Sequence, residues 1–372
     1  AIGASGSIAI PAGTDVIDGS NRYLLPGLTD MHVHPVVGND GESDLLVQLA
    51  AGVTSVRIMW GGRGHLSWRA QIRAGELAGP RLYIASPGLE GDPPYWPNSV
   101  VVTTEPEARN AVQEQVAAGY DFIKVYNQLQ LPLYDVIINE ARLLDIPVVG
   151  HVPRSMSADY AIAAGQKTIE HFSGFAPHAT TTGSWSGEID ASKLAGVIEH
   201  IRLKGTWNCP TLTVRSRSAS QVDELRSNPA FALLSETTRT WLDDSLTQPP
   251  TLDRSTEVRL LGEVAKALHD AGVGLLVGTD AGVQYVYPGF SIHEELARFV
   301  DAGLTPYESL RAATVNAADA LGELDVAGTV EVGKRADLLL LDTDPFAAIG
   351  NVNRRVGIMA AGTWYAQSAL ME

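Results

Sequence analysis

Residues 28–35 read LTDMHVHP, an apolar run of strand character carrying two histidines two positions apart. On an extended chain successive side chains point to opposite faces, so His32 and His34 share one face and Val33 points away. Burying an unpaired polar group costs several kcal/mol, so a strand that places two imidazoles on one face needs partners for them there. The same irregularity recurs downstream. Lys124 interrupts DFIKVY, His151 closes PVVGHV, His171 lies in TIEHFSG, and Asp280 follows LLVGT. Each falls at or near the carboxyl end of a short apolar run.

Those runs belong to a longer pattern. Candidate strands begin at Leu28, Val53, Arg81, Asp121, Pro147, Thr168, Thr206 and Gly274, and helical spacings such as EPEARNAVQEQVAAG and LPLYDVIINEARLLDI lie between them. Glycines at 52, 119, 165 and 272 stand where a left-handed residue stops a helix ahead of the next strand. Eight βα units predict an α/β fold, a (β/α)8 TIM barrel. An open doubly wound sheet fits the alternation equally well until the polar residues are placed. In a barrel all six polar strand ends share one rim.

The stretch from Arg215 to Ala271 is too long for one crossover helix and reads as extra helices with a Pro-broken loop at TQPPTLDRS. Beyond the eighth strand come two helical patterns, HEELARFVDAG and PYESLRAATVNAADALG, after which the period changes. GTVEVGKRADLLLLDTD from Gly328 and RRVGIMAAGTWYA from Arg354 alternate like strands, as does the opening SIAIPAGTDVIDGSNRYLLPG. The expected organisation is a barrel over 27–322 beside a small β-sandwich domain built from both termini, residues 1–26 and 323–372.

Composition narrows the function classes. The 372 residues are 45% hydrophobic and 19% charged, enough for a full core. Lys+Arg 27 against Asp+Glu 43 gives −16, which argues against nucleic-acid and anionic-membrane partners. Cys209 is the single cysteine, so a metal would be held by nitrogen and oxygen. No apolar run approaches the roughly 20 residues of a membrane span. The chain starts without Met and in what reads as mid-domain, so a removed leader or opening strand is expected. Cytoplasmic location is assumed, export stays open, and a homo-oligomer is compatible with the composition.

A lone strand histidine is usually a hydrogen-bonded core or rim residue, and His65, His178, His200 and His269 are read that way. A lone strand lysine is usually a rim ion pair, and GTD a common strand-to-turn triplet. Six such residues at consistent strand ends weigh differently, since four imidazoles with a carboxylate suit zinc and similar ions.

The sequence resembles the amidohydrolase superfamily, in its imidazolonepropionase-like and dipeptidase-like branch. PGLTDMHVHP is similar to the family's first-strand motif, GTDAG to its eighth-strand aspartate, and SIHEELARFVDAGLTPYESLRAATVNAADALG with GTVEVGKRADLLLLDTDPF to its post-barrel helices and returning β-domain. The resemblance covers nearly the whole chain, and the ligand order HxH, Lys, His, His, Asp is matched without a gap. It implies two divalent ions, zinc being expected. His32, His34 and Asp280 would hold the more buried one, His151 and His171 the more exposed one, and Lys124 would bridge them as a carbamate (N6-carboxylysine). A free ammonium, with pKa about 10.4, would repel two cations, so an unmodified Lys124 implies a one-metal site. The implied reaction is attack of a metal-bridging hydroxide on a carbonyl, with Asp280 moving the proton to the leaving nitrogen.

Substrate choice is less legible. Arg154 reads as a carboxylate-binding fork or, equally, a rim ion pair. Tyr126, Asn127 and Gln128 follow Lys124 and are expected over the site. Trp60, with Tyr95 and Trp96 of the DPPYWPNS loop, is expected to line an apolar pocket, and His293 to stand behind the ligands. The favoured reading is hydrolysis of an amide in a small molecule, N-acyl amino acid or dipeptide. Cyclic amides or lactones, then phosphotriesters, are the alternatives, and a metal-free binding scaffold is the non-enzyme alternative. The segment VYNQLQLP after Lys124 departs from the small, Gly-rich segment of the dipeptidase-like members and weakens that specific assignment.

Overall fold

A computed structural model describes residues 1–4, 6–38, 40–217, 222–245, 254–283 and 285–371, and its architecture is mixed α/β. The strands in chain order are β1 (Tyr23–Pro26), β2 (Leu28–Val33), β3 (Val53–Ile58), β4 (Arg81–Ile84), β5 (Leu89–Glu90), β6 (Val100–Val101), β7 (Ile123–Val125), β8 (Val148–Gly150), β9 (Thr168–Glu170), β10 (Trp207–Cys209), β11 (Leu338–Leu341), β12 (Arg355–Ala360) and β13 (Thr363–Ala366). Strands β2 and β3 are buried along their whole length, as expected of parallel strands covered on both faces.

The parallel ladder is regular only in two pieces. One sheet runs β2-β3-β4 and the other β10-β9-β8-β7-β5-β6. An isolated parallel bridge, Ala85 to Phe122, spans the gap between β4 and β7. The eighth expected strand, GLLVGTD, forms no regular strand among the described residues. It is nevertheless hydrogen-bonded on both sides, through bridges Asn208 to Leu275 and Val33 to Ala281 and through Met31 N–H to the Val277 carbonyl at 2.9 Å. Two features break its regularity. Asp280 takes a left-handed φ of 64°, and Gly278 passes so close to β2 and β10 that a Cβ there would lie 2.4 Å from the Cys209 sulfur and 2.8 Å from His32 Cβ.

The helices start and stop on local chemistry. Thr104 and Glu107 form a capping box at the start of Glu105–Ala118, and Gly119, at φ 88°, ends that helix. The long insertion contains helices Val222–Ser227, Pro229–Ala232 and Glu236–Ser245 ahead of Ser255–Asp270. The loop expected at TQPPTLDRS lies largely outside the described residues. The buried carboxylate of Asp44 accepts from the Ser235 N–H and hydroxyl at 2.8 and 2.9 Å, and Trp241 Nε1 donates to the Gly282 carbonyl at 2.7 Å. The insertion is thereby pinned beside the segment that carries Asp280.

Both ends of the chain meet in one antiparallel sheet of order β1-β11-β12-β13, with Tyr23 opposite Leu341. Where a sandwich was expected, the described residues form this single four-stranded sheet, and of the first 26 residues only Tyr23–Pro26 contribute a strand. Leu339 and Leu341 join the main core, and Ile358, opposite Leu339, packs on Leu49 of helix Ser43–Ala50, so this face of the sheet is covered by helix rather than by a partner sheet.

Gly278→Ala is expected to lower stability by about 1–3 kcal/mol, the usual cost of overpacking, because the new methyl has rigid neighbours on two sides. Urea unfolding followed by circular dichroism measures this; an unchanged midpoint rejects the close-approach account.

Candidate metal centre

The two histidines of β2 and its continuation converge as their spacing requires. His32 Nε2 and His34 Nε2 are 3.2 Å apart, and Asp280 Oδ1 lies 3.3 Å from the first and 2.9 Å from the second. Ligand arms of about 2.0–2.1 Å in a tetrahedral zinc site leave donor atoms about 3.3 Å apart. The spacing of this trio therefore fits a single divalent ion. His171 Nε2 approaches Asp280 Oδ2 to 4.0 Å, and the His171 ring centroid lies 4.7 Å from that of His32 and 4.8 Å from that of His151. Lys124 is buried at the centre of β7, in register with Val149 of β8. Its Nζ stands 5.8 Å from the centre of the Tyr126 ring. The structure thus gathers the five imidazole and carboxylate residues into one cluster, with Lys124 on the strand beside His151.

Proton bookkeeping shows which nitrogens face the middle. His32 Nδ1 lies 2.8 Å from Glu170 Oε2, and His151 Nδ1 lies 2.8 Å from Asn127 Oδ1. His171 Nδ1 meets Thr211 Oγ1, whose own hydroxyl donates to the Pro210 carbonyl at 2.7 Å and so presents a lone pair to the imidazole. All three Nδ1–H groups are spent on acceptors, and three Nε2 lone pairs remain. That is how metal-binding histidines are oriented, since the other ring nitrogen normally donates to a carboxylate, carbonyl or similar group.

Electrostatics keep these groups in the required states. Burial lowers His32 to about 4, against the opposing pull of Asp280 and Glu170, and drives His151 and His171 well below the ordinary imidazole value. Burial alone would raise Asp280, but His32, His171 and His34 outweigh it and hold the carboxylate ionised. Burial would likewise raise Glu170, yet Arg57, His32 and Lys124 hold it far below the usual range. Lys124 falls to about 8 through burial, partly offset by Glu170 and Asp280, which leaves a share of neutral amine near neutral pH. His32, Glu170 and Cys209 form a second close trio, but Glu170 is already bonded to His32, Arg57 and Thr168 and offers no free oxygen.

Several supporting residues escaped the sequence reading. Arg57, fully buried, donates from Nη2 to Glu170 Oε1 at 2.8 Å and from Nε to the Met31 carbonyl at 2.7 Å. Asp30 accepts from the Thr279 N–H and hydroxyl at 3.0 and 2.7 Å and from the His32 N–H at 3.2 Å, joining β2 to the Asp280 segment. Glu90 accepts from the Tyr95 N–H at 2.7 Å and the Gln128 N–H at 3.2 Å, tying two loops above the strands. A buried Glu or Asp inside a strand was the available signal, as at TIEH and LTDM. His171, Phe172, Thr211 and Asp280 all have positive φ, a conformation that costs non-glycine residues about 1–3 kcal/mol and recurs at functional sites.

The residues expected to touch substrate separate into groups. Tyr126 packs on His151 at 4.1 Å between ring centroids and accepts from Trp96 Nε1 at 3.1 Å; Trp60 lies edge-on to it at 5.1 Å, and Tyr95 5.9 Å away. Asn127 spends its amide oxygen on His151 and acts as a positioning residue. Arg154 is exposed, its N–H fixed to the Asn127 carbonyl at 2.9 Å. No side-chain ion pair involves it among the described residues. His293 is placed elsewhere. Its Nε2 bonds the Ala51 carbonyl at 2.8 Å, just before the amino-terminal end of β3, and faces Arg355, because helix Ser291–Asp301 packs against the 3-10 turn Ile349–Asn353 that leads into β12. His178 and His200 pair with Asp159, His269 with Glu308, and His65 with the Pro35 carbonyl.

Residues 23–364 match the sequence model described as Amidohydrolase family. The imidazolonepropionase of Shouchella clausii (strain KSM-K16) is 26% identical over 389 residues, covering 93% of this chain and 77% of that protein. Among solved structures, bottromycin amidohydrolase superposes with a TM-score of 0.75 and 29% identity, over 94% of this chain and 78% of its own. A Xaa-Pro dipeptidase with bound methionine superposes at 0.71 with 22% identity, over 97% and 91% of the two chains, a likeness of fold.

Glu170→Gln is expected to weaken divalent-ion affinity about 10- to 100-fold, as loss of a supporting partner does, and to lower the melting temperature by leaving Arg57 buried without its counter-charge. Competition against a chromogenic chelator reads the affinity; an unchanged value means that Glu170 does not orient His32.

Proposed function

The chain belongs to the amidohydrolase family, and we propose that it is a metal-dependent hydrolase that cleaves an amide C–N bond in a small molecule, an N-acyl amino acid or a dipeptide. The observation that carries this reading is the set of three imidazoles whose Nδ1–H groups are all spent, beside His34 and Asp280 at the spacing a divalent ion needs. In this reading the bridged strands close as a (β/α)8 barrel over 27–322, flanked by a β-domain from 1–26 and 323–372.

His32, His34 and Asp280 would hold one ion and His151 and His171 a second, both most simply zinc. Lys124 would bridge them as a carbamate: its neutral amine forms an N–C bond with carbon dioxide, releases a proton, and becomes an anionic oxygen donor. A divalent ion in such a site is a Lewis acid, polarising a carbonyl and acidifying water. The remaining work belongs to the chain. Asp280, held ionised, accepts the proton of the attacking water and returns it to the leaving nitrogen, so that an amine rather than an amide anion departs. The Tyr126, Trp60, Tyr95 and Trp96 cluster beside His151 offers flat apolar surface to one side of the scissile bond. Likeness to an imidazolonepropionase favours a second reading, opening of a cyclic amide, for which the same groups serve.

Zinc-supplemented protein is expected to contain about two equivalents of divalent ion and Lys124→Ala no more than about one. Elemental analysis decides: no metal in the parent protein rejects the reading, and two equivalents in Lys124→Ala reject the bridging lysine. On whichever dipeptide, N-acyl amino acid or cyclic amide is cleaved in a library screen, Asp280→Asn should lower kcat about 100-fold or more. Full activity of that variant removes Asp280 from proton transfer.

A further inference from the structure

Residues 93–98, PPYWPN, follow β5 and leave two large aromatic rings in solvent beside the metal centre. Tyr95 is 51% exposed and Trp96 40%, their ring centroids are 5.3 Å apart, and no charged side chain lies between Pro93 and Asn98. This surface is continuous with the site. Trp96 Nε1 donates to the Tyr126 hydroxyl at 3.1 Å, Tyr95 lies 5.9 Å from Tyr126 between ring centroids, and Tyr126 packs on His151 at 4.1 Å. Apolar surface left in water is a free-energy cost that a ligand removes, and a patch of it at the edge of a site marks where one binds.

A buried carboxylate holds the loop in shape. Glu90, fully inaccessible at the end of β5, accepts on Oε2 from the Tyr95 N–H at 2.7 Å and the Ser99 hydroxyl at 2.9 Å, and on Oε1 from the Gln128 N–H at 3.2 Å. Burying a carboxylate is unfavourable unless donors surround it, and the donors here tie the middle and the end of the loop to the segment after Tyr126. Two glycines let the layers touch. A Cβ on Gly88 would lie 2.4 Å from the Trp60 ring, and one on Gly91 would lie 2.4 Å from the Gln128 carbonyl oxygen. Trp60 in turn stands edge-on to Tyr126 at 5.1 Å. The rings are therefore ordered before a ligand arrives, which removes much of the entropic cost of binding one.

We infer that Tyr95 and Trp96 receive an aromatic side chain of the substrate, carried by the residue that flanks the scissile amide on the His151 side. This deepens the hydrolase reading and rests on it. An aromatic ring is the favoured occupant because paired rings settle at centroid separations of about 4.5–7 Å, the range that already relates Tyr95, Trp96 and Tyr126. A polar or charged group would meet Pro94 and Pro97 on the flanks of the ring pair and lose hydration without gaining partners. The substrate class is then N-acyl or peptidyl amides with a phenylalanine-, tyrosine- or tryptophan-like residue at the cleavage point.

Calorimetric binding to the zinc-loaded protein tests this with three uncharged probes, the N-acetyl amides of L-phenylalanine, L-leucine and L-alanine. The parent protein should bind the phenylalanine probe about 10- to 100-fold more tightly than the alanine probe, the range for burying a phenyl side chain, with the leucine probe in between. Tyr95→Ala should cut that preference to about 3-fold or less while leaving the alanine affinity nearly unchanged. Tyr95→Phe should retain the preference, and so should Tyr307→Ala, which removes a comparably exposed ring on helix Pro306–Ala312. Should Tyr95→Ala fail to fold, Tyr95→Leu keeps bulk without the flat face, and the same loss is expected. Equal affinity for the phenylalanine and alanine probes, a leucine probe as tight as phenylalanine, a preference that survives loss of the Tyr95 ring, or one lost in Tyr307→Ala overturns the inference. Binding is scored apart from turnover, so selective binding of the phenylalanine probe with no cleavage of any amide rejects the hydrolase reading and still supports the aromatic site.

Discussion

A chain of buried charge, Arg57 to Glu170 to His32, governs the strand ends. It joins β3 and β9 to β2 through the interior, with both Arg57 and Glu170 fully inaccessible. A buried ion pair is a weak source of stability, because desolvation takes back most of what attraction supplies, but breaking one is costly. Its value here is directional. Arg57 keeps Glu170 ionised, the ionised Glu170 takes the Nδ1 proton of His32, and the Nε2 lone pair is left to face His34 and Asp280. The donations from Arg57 to the Met31 carbonyl and the Thr168 hydroxyl lock the same pair to the backbone of β2 and to β9. A neutral side chain at 170 would leave the His32 ring without that bias.

The backbone is adapted to the same end. Glu170 closes β9 on the interior side, and His171 must then point to the rim although it is the next residue. Its left-handed φ of 59° accomplishes the reversal, and Asp280 does the same after the eighth segment with φ 64°. Such residues end a ladder, and the eighth segment accordingly reaches its neighbours through single bridges, Asn208 to Leu275 and Val33 to Ala281. Asp30 compensates locally. The two hydrogen bonds it accepts from Thr279 replace part of the ladder lost between β2 and residues 277–280.

Much of this was legible in the chain. A period of two placed His32 and His34 on one face, and βα alternation placed His151 and His171 just past the ends of β8 and β9, with Lys124 inside β7 and Asp280 after a segment that bridges its neighbours without forming a regular strand. Those are local properties, carried within a few residues of each position. Legibility failed where a residue's neighbours come from another element. Asn127 looked available for substrate, but the β8 loop brings His151 against it. His293 follows the eighth segment closely in sequence, yet its helix turns it toward Ala51 and Arg355. The alternating apolar residues before Tyr23 have strand-like spacing without a ladder partner among the described residues, and spacing alone cannot supply one.

By itself, then, the sequence determined which donor atoms exist and which end of each strand they occupy, because side-chain direction on a strand depends only on local backbone geometry. Tertiary structure decided which nitrogen of each imidazole is spent and which is free. His32 and Glu170 are 138 residues apart, and Arg57 and Glu170 are 113 apart. No local pattern links positions so distant. It also decided how the turn after β10 is held, since the carboxylate that accepts the Leu212 N–H belongs to Glu295, 83 residues further along the chain.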